Sequence, residues 1–226
     1  MHRTPLLAIA AATLLQEPGG APAPAPMAAD LHDFEATPPG GLPKGFTVAS
    51  TLGDEKARAT PAKWAVAEDA KAPSGRRVVK LTETTNQGAV YNLLLRDEAA
   101  PVDLALSVQL RADSGGEDRG GGLVWRAKDE RNYYVCRWNP LEKNLRAYRV
   151  SEGRRVQLQS VTIETAADAW HRLAVTMKGR VMEISFDGKR EISCADATFG
   201  EAGKVGLWTK ADAHSSFDDL KVGPAP

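Results

Sequence analysis

Four side chains in strand-like segments are of the types that bind sugars: Arg137, Asn139, Trp208 and Lys210. Successive side chains of a β-strand point to opposite faces, so residues two positions apart share a face. Arg137 is therefore expected beside Asn139, and Trp208 beside Lys210. Aromatic rings stack under the C–H faces of sugars, while amide and guanidinium groups hydrogen-bond to sugar hydroxyls. The four residues together predict a carbohydrate-binding surface.

The same side chains also have structural interpretations. Trp208 is equally consistent with a core residue and with a ligand contact, because a Trp in a sandwich is often buried and Lys210 on the same face favours an open side. Arg137 is equally consistent with a ligand contact and with a solvated or salt-bridged surface residue. Trp125 and Trp170 stand in apolar segments and are expected in the core.

The carboxylates form no recognisable catalytic pair. Glycosidases need two carboxylates at a set separation across the sugar bond. Those near predicted strands stand mostly in turns, where a solvated role is the default: Asp129, Glu130, Glu152, Asp187, Asp212, Asp218 and Asp219. The histidines form neither H-E-x-x-H nor H-x-H, and the chain has no G-x-S-x-G turn and no Gly-rich loop before a helix. An unrecognised site is the remaining route to catalysis.

Hydrophobic alternation predicts an all-β protein. Leu173, Val175 and Met177 alternate with more polar positions, and Asp187-Gly188 accepts the positive φ of a tight hairpin. Residues 37–45 and 112–121 are predicted loops, the second flexible and acidic. About a dozen strands without a long helix form a sandwich. Predicted strands cover 31–35, 63–68, 77–82, 89–95, 102–110, 122–127, 133–138, 145–150, 156–161, 172–177, 181–186, 189–194, 203–210 and 217–222.

The order of several motifs resembles a known family. The motifs are GGLVWR (121–126), NYYVCRWN (132–139), NLRAY (144–148), WHRLAV (170–175), FDG (186–188), GKVGLWTKAD (203–212) and FDDL (217–220). Over residues 30–223 the chain resembles concanavalin A-like jelly rolls. It is most similar to the laminin G-like and family-16-like domains of secreted bacterial proteins, which include 3-keto-disaccharide hydrolase-type domains.

The resemblance implies a two-sheet antiparallel jelly-roll sandwich whose first and last strands pair. It also implies that the concave sheet forms the ligand groove, which would contain Arg137, Asn139, Trp208 and Lys210. Active family-16 enzymes carry Glu-x-Asp-x-x-Glu on one strand, and no Glu of this chain starts that pattern. Such folds include lectins, enzymes and spacers, so the resemblance is more specific for fold than for activity.

Composition limits the classes of protein. The 226 residues carry no formal net charge, and 42% are hydrophobic, which argues against nucleic acid as the main partner and against a membrane-spanning protein. Residues 1–16 have the charged start and short apolar run of a signal peptide, residues 17–29 form an Ala/Pro-rich linker, and residues 30–223 form one domain. The expected location is therefore periplasmic or extracellular.

Two features have open structural interpretations. Cys136 and Cys194 stand in predicted strands and either form a disulfide or serve as small core residues. No cofactor is expected. A structural calcium ion is a lesser alternative, with oxygen ligands that the pairing of the end strands would bring together: Asp33, Glu35 and Asp218 or Asp219.

Three functional hypotheses follow. The first is an exported, non-catalytic domain that binds glycan on its concave sheet. The second is a glycoside hydrolase acting on glycosides or 3-keto-glycosides, with carboxylates that the sequence does not identify. The third is a spacer or adhesion module without a small ligand. Binding is favoured because the predicted face carries polar and aromatic residues but no matched carboxylate pair. The oligomeric state stays open.

Overall fold

The computed structural model of the protein describes residues 29–53 and 59–226. All regular secondary structure in that part of the chain is β-strand. The all-β prediction is therefore confirmed, with fifteen strands instead of about a dozen. In chain order they are β1 (Asp30–His32), β2 (Phe46–Leu52), β3 (Lys63–Glu68), β4 (Arg77–Glu83), β5 (Val90–Ala100), β6 (Leu104–Ser114), β7 (Gly121–Asp129), β8 (Asn132–Asn139), β9 (Asn144–Ser151), β10 (Arg154–Thr162), β11 (His171–Lys178), β12 (Val181–Phe186), β13 (Lys189–Ala195), β14 (Gly203–Lys210) and β15 (His214–Pro224).

The strands form two antiparallel sheets. The back sheet has the order β13-β12-β11-β6-β15-β4-β3, with β1 added to β15. The front sheet has the order β10-β9-β8-β7-β14-β5-β2. This is the predicted jelly-roll sandwich of concanavalin A-like type. Among the described residues, no helix is long and apolar enough to cross a membrane.

The main core lies between the two sheets. Alternation along β8 places Tyr134, Cys136 and Trp138 on the inner face, where all three are fully buried. Trp125 stacks on Tyr134 with ring centroids 5.7 Å apart, as its predicted core position requires. The prediction for Trp170 was wrong: it is half-buried beneath a guanidinium group on the back sheet and does not join the core.

The end strands pair as expected. Asp30 lies opposite Val222 and His32 opposite Leu220, so β1 is hydrogen-bonded to the last strand. β1 ends at His32, and the predicted strand extended to residue 35. The reason is Phe34, whose φ of 60° departs from extended backbone and turns the chain into the following loop.

Strand β2 was absent from the prediction. Its sequence, FTVASTL, follows a Pro/Gly-rich loop, and Val48 and Ala49 are the only apolar residues between its two ends, so the apolar alternation is weak. It is an edge strand that pairs only with β5, in register from Phe46 opposite Arg96 to Leu52 opposite Val90. A strand at the edge of a sheet has a neighbouring strand on one side only, so its sequence needs a less continuous run of apolar residues than that of a central strand.

The front sheet is strongly curved. Tyr133 on β8 and Thr51 on β2 are separated by three intervening strands, which would place them about 19 Å apart in a flat sheet with strands about 4.8 Å apart. Their hydroxyl groups are nevertheless 2.8 Å apart. Tyr133 belongs to an apolar cluster on the outer face of this sheet, so the sheet curls around that face. The outer face of the front sheet is therefore concave.

The predicted signal peptide (1–16) and all but the last residue of the predicted linker (17–29) lie outside the described residues.

Cys136 is buried, Cys194 is half-buried, and both are free thiols, which agrees with the alternative of small core residues.

Candidate functional site

The four sequence-predicted residues meet on the concave face. Gly122 on β7 lies directly opposite Arg137 of β8 on one side and opposite Trp208 of β14 on the other. Arg137 and Trp208 therefore lie in one row of the sheet, separated by a residue without a side chain. Asn139 and Lys210 occupy the next position on the same face of their strands. The strand order β8-β7-β14 is what brings the two pairs together.

Asp118 connects Asn139 to Lys210. Its carboxylate accepts a hydrogen bond from Asn139 Nδ2 at 2.8 Å and forms an ion pair with Lys210 Nζ at 2.9 Å. Asp118 is 2% exposed and Asn139 is 1% exposed. Asp118 was not predicted from the sequence, because it stands in a Gly-rich acidic segment. This segment has no alternation of apolar and polar residues that would show where it lies relative to the strands.

The segment around Asp118 is ordered, which contradicts the predicted flexible loop over 112–121. β6 continues to Ser114, and the carboxylate of Asp212 accepts backbone N–H bonds from Gly116 at 2.7 Å and from Asp118 at 2.8 Å. It also accepts from the backbone of Glu117. Burial acts to raise the pKa of Asp212, but these hydrogen bonds outweigh it and lower the pKa. Asp212 stands in a turn, as predicted, and fixes the loop that presents Asp118.

Arg137 is a buried cation with unused hydrogen-bonding capacity. The residue is 1% exposed, and Nη2 donates to Glu142 Oε2 at 2.8 Å. Nε and Nη1 have no hydrogen-bond partner in the described structure. Burial acts to lower the pKa of Arg137, but Tyr148 and Glu142 raise it above its usual value. Buried polar groups are nearly always hydrogen-bonded, so two unpartnered donors on one buried guanidinium indicate a place for an acceptor.

Glu142 is shared between two arginines. Its Oε2 also accepts from Arg146 Nη1 at 2.8 Å and from Asn144 Nδ2 at 3.1 Å. Burial acts to raise the pKa of Glu142, but the hydrogen bonds and charges of Arg137, Asn144 and Arg146 lower it to about 2. The side chains of Glu142 and Arg146 are 42% and 30% exposed, so the site reaches solvent on this side. Glu142 stands in the turn after β8, and no motif or spacing in the sequence indicated it as a site residue.

Trp208 does not offer an open stacking surface. It is 1% exposed and packs against Tyr91, with ring centroids 5.3 Å apart. The guanidinium of Arg155 covers these rings: its central carbon lies 5.1 Å from the Tyr91 centroid, 4.4 Å from Tyr148 and 6.0 Å from Trp208. The aromatic rings are therefore occupied by an arginine in this conformation. Arg155, on strand β10, was also missed by sequence reasoning.

The concave face has a filled part and a polar part. The filled part is a second apolar cluster that includes Tyr91, Tyr133, Tyr148 and Trp208. This packing is what the spacer hypothesis predicts for a groove. The polar part contains the Asp118–Asn139–Lys210 contacts and the buried Arg137. The unpartnered donors of Arg137 are what the carbohydrate-binding hypothesis predicts.

The proposed calcium ligands are used elsewhere. Glu35 Oε1 accepts backbone N–H bonds from Arg76 at 2.8 Å and Arg77 at 2.6 Å. Asp218 and Asp219 both accept hydrogen bonds from Ser74. Among residues 29–53 and 59–226, no group of three or more His, Cys, Asp and Glu side chains is placed to hold a metal ion.

Comparison with known proteins identifies the fold class. No family model and no curated protein sequence matches the chain. Solved structures do match, and they are concanavalin A-like sandwiches, which confirms the resemblance in the sequence at the level of fold; the 3-keto-disaccharide hydrolase type stays a prediction.

Three solved structures illustrate the likeness. The carbohydrate-binding module CBM66 from Bacillus subtilis has a TM-score of 0.61 at 16% identity, covering 79% of this chain and 95% of that one. The GH16 protein of a Bacteroides ovatus mixed-linkage glucan locus, solved with a G4G4G3G product, has a TM-score of 0.58 at 10% identity, covering 85% and 99%. Domain 4 of AbnA, a GH43 extracellular arabinanase from Geobacillus stearothermophilus solved with arabinotriose, has a TM-score of 0.50 at 11% identity, covering 80% and 82%.

Proposed function

We propose that this protein is a non-catalytic, exported domain that binds carbohydrate on the concave face of its front sheet. The observation that supports this most directly is the buried Arg137 guanidinium with two unpartnered nitrogens on that face. Sugar hydroxyl, carboxylate and ring oxygens are suitable acceptors for such donors. The neighbouring Asp118, Asn139 and Lys210 are held in place by mutual contacts and form a preorganised polar wall.

The carboxylates of this face favour binding over glycoside hydrolysis. A general acid in a glycosidase needs a raised pKa, and the pKa of Glu142 is lowered to about 2 by its arginines. The carboxyl group of Asp218 does have a raised pKa, but it lies on β15 of the back sheet. Neither group is therefore suited to protonate a leaving group bound on the concave face.

The structural neighbours support the same class of function. One neighbour is a carbohydrate-binding module, and two were solved with oligosaccharides bound. One of these belongs to an extracellular arabinanase, which agrees with the signal-like start of this chain. Glycan binding outside the cytoplasm is the function that these observations share.

A glycan array with the full-length protein tests the proposal. We expect binding that Arg137→Gln weakens by at least about 10-fold, because a hydrogen bond to a charged group contributes about 1.5–3 kcal/mol. Arg190→Gln is the matched control, since Arg190 is 64% exposed on the back-sheet edge strand β13. Circular dichroism and thermal unfolding check that both variants fold. Trp208→Ala is a poorer test because removing a buried ring opens a cavity.

Three outcomes would contradict the proposal. Absence of binding to every glycan would favour the spacer hypothesis, in agreement with the filled part of the concave face. Release of reducing sugar from a bound glycan, lost together with a concave-face carboxylate, would favour the hydrolase hypothesis. Binding that is equally strong in wild type and Arg137→Gln would move the site elsewhere on the molecule.

A further inference from the structure

Two arginines contact Tyr148 on the concave face, and a third is linked to one of them through a shared carboxylate. Arg155 stacks on the ring of Tyr148 at 4.4 Å, and Arg146 Nη1 lies 3.5 Å from its hydroxyl. Arg137 is joined to Arg146 through the carboxylate of Glu142, which both contact at 2.8 Å. Arg137, Arg146 and Arg155 come from the neighbouring strands β8, β9 and β10, and we call them the arginine cluster.

The arginine cluster has more positive charge than its carboxylates balance. Among the described residues, Glu142 is the one carboxylate that pairs with it, shared by Arg137 and Arg146. Arg155 forms no ion pair with the described residues. Lys210 on the same face has a carboxylate of its own, Asp118, with the exposed Glu117 3.9 Å away. Three arginines with one carboxylate leave a surplus of two positive charges in the cluster, and counting Lys210 with Asp118 and Glu117 leaves a surplus of one on this part of the face.

Burial makes this surplus significant. A charge removed from water is costly unless it is paired and hydrogen-bonded. Arg137 is 1% exposed, and its Nε and Nη1 lack partners among the described residues, as does the buried Nη1 of Arg155. A neutral sugar hydroxyl would satisfy the hydrogen bonds but leave the charge. An anionic oxygen group would satisfy both, because hydrogen bonds between ionised partners are about twice as strong as neutral ones.

We propose that the ligand of the concave face is an acidic glycan, whose carboxylate or sulfate group binds between Arg137 and Arg155. This inference rests on the proposed carbohydrate-binding function and specifies its ligand class. The sugar ring would lie toward Asn139 and Lys210, and the anionic group would enter past Glu142 and Arg146, the partly exposed side of the site. The cluster distinguishes acidic from neutral glycans by charge, and carboxylate and sulfate share the chemistry that it recognises.

The test compares matched acidic and neutral sugars. An array that contains neutral, uronic-acid and sulfated oligosaccharides is probed with the full-length protein. Calorimetry then compares tri-galacturonate with its methyl ester, which has the same backbone without the charge, and glucose 6-sulfate with glucose. We expect the acidic members of the array to bind, and the acid to bind at least about 10-fold more tightly than the ester wherever that pair binds. A preference for the sulfated or the uronic sugars identifies which anionic group is used.

Variants assign the charge preference to the cluster. Arg137→Gln and Arg155→Gln should each reduce the preference for acidic over neutral sugar, and Arg190→Gln should leave it unchanged. Arg155 is half-buried on an edge strand, so its variant remains informative if Arg137→Gln fails to fold. Binding of neutral glycans alone, or equal binding of acid and ester, would overturn the inference and leave the proposed function intact. Absence of binding to any glycan would overturn both.

Discussion

Asp218 is a carboxyl group on β15 of the back sheet that forms no ion pair with the residues the structure describes. It is fully buried and accepts hydrogen bonds from Ser74 N at 3.2 Å and from Asp219 N at 2.8 Å. Burial raises its pKa to about 6, because these hydrogen bonds do not offset the loss of water. The folded protein therefore binds a proton at Asp218 more tightly than the unfolded chain does.

Asp218 should make the free energy of unfolding decrease as the pH rises from the pKa of its carboxyl group in the unfolded chain to the raised pKa in the folded protein. A raised pKa contributes stability that is complete below the unfolded value near 3.8 and is lost by about pH 6. Between pH 4 and 7 the free energy of unfolding should decrease by about 2–3 kcal/mol from this residue. Urea unfolding measures the slope, which Asp218→Asn should remove and the exposed Asp168→Asn should retain. An unchanged slope in Asp218→Asn would assign it to another group.

The thiols offer a second test at the residue scale. Cys136 is fully buried, which raises its pKa to about 12, and Cys194 is half-buried on β13. Native protein at pH 8 should therefore react with Ellman's reagent at Cys194 alone and slowly, and unfolded protein at both thiols. A reducing agent should leave the melting temperature unchanged. A loss of several degrees on reduction would instead indicate a disulfide between the two cysteines.

The loop between β6 and β7 depends on one carboxylate of another element. Asp212, in the turn between β14 and β15, accepts backbone hydrogen bonds from Gly116, Glu117 and Asp118. Asp212→Ala should leave these N–H groups without that partner and cost about 1–3 kcal/mol of stability. Asp212→Asn keeps one acceptor oxygen and should cost less.

Hydrogen exchange locates the effect of that substitution. The amides of residues 116–118 should exchange faster in Asp212→Ala, while those of β8 should change only with the global stability. Equal acceleration across the whole front sheet would mean that Asp212 supports the sheet and not the loop alone.

The sequence predicts individual strands better than it predicts the site. Alternation placed β3 and β14 at their observed limits, because their apolar faces are continuous. β2 lacks that signal. Period two also placed Arg137 beside Asn139, which is a local property of a strand. The contribution of Arg155 could not be predicted in this way, because it depends on the curvature that brings β10 over the aromatic rings of β5 and β14.

At the scale of the whole molecule, the front sheet separates two apolar clusters. The inter-sheet core covers its inner face, and the concave cluster covers part of its outer face. Seven of the eight residues of β8 are consequently buried. β11, a central strand of the back sheet, has alternating buried and more exposed residues because only one of its faces meets a core. The edge strand β13 is mostly exposed or half-buried.

This difference predicts an order of local stability. Opening β8 exposes apolar surface from two clusters, so its hydrogen-bonded amides should exchange only through global unfolding. Those of β11 should open at lower free energy, and those of the edge strand β13 at the lowest of the three. Native-state hydrogen exchange measures all three strands in one sample, with β11 as the internal control for a central strand that is covered on one face. If β8 and β11 exchange alike, the concave cluster adds no measurable stability to β8.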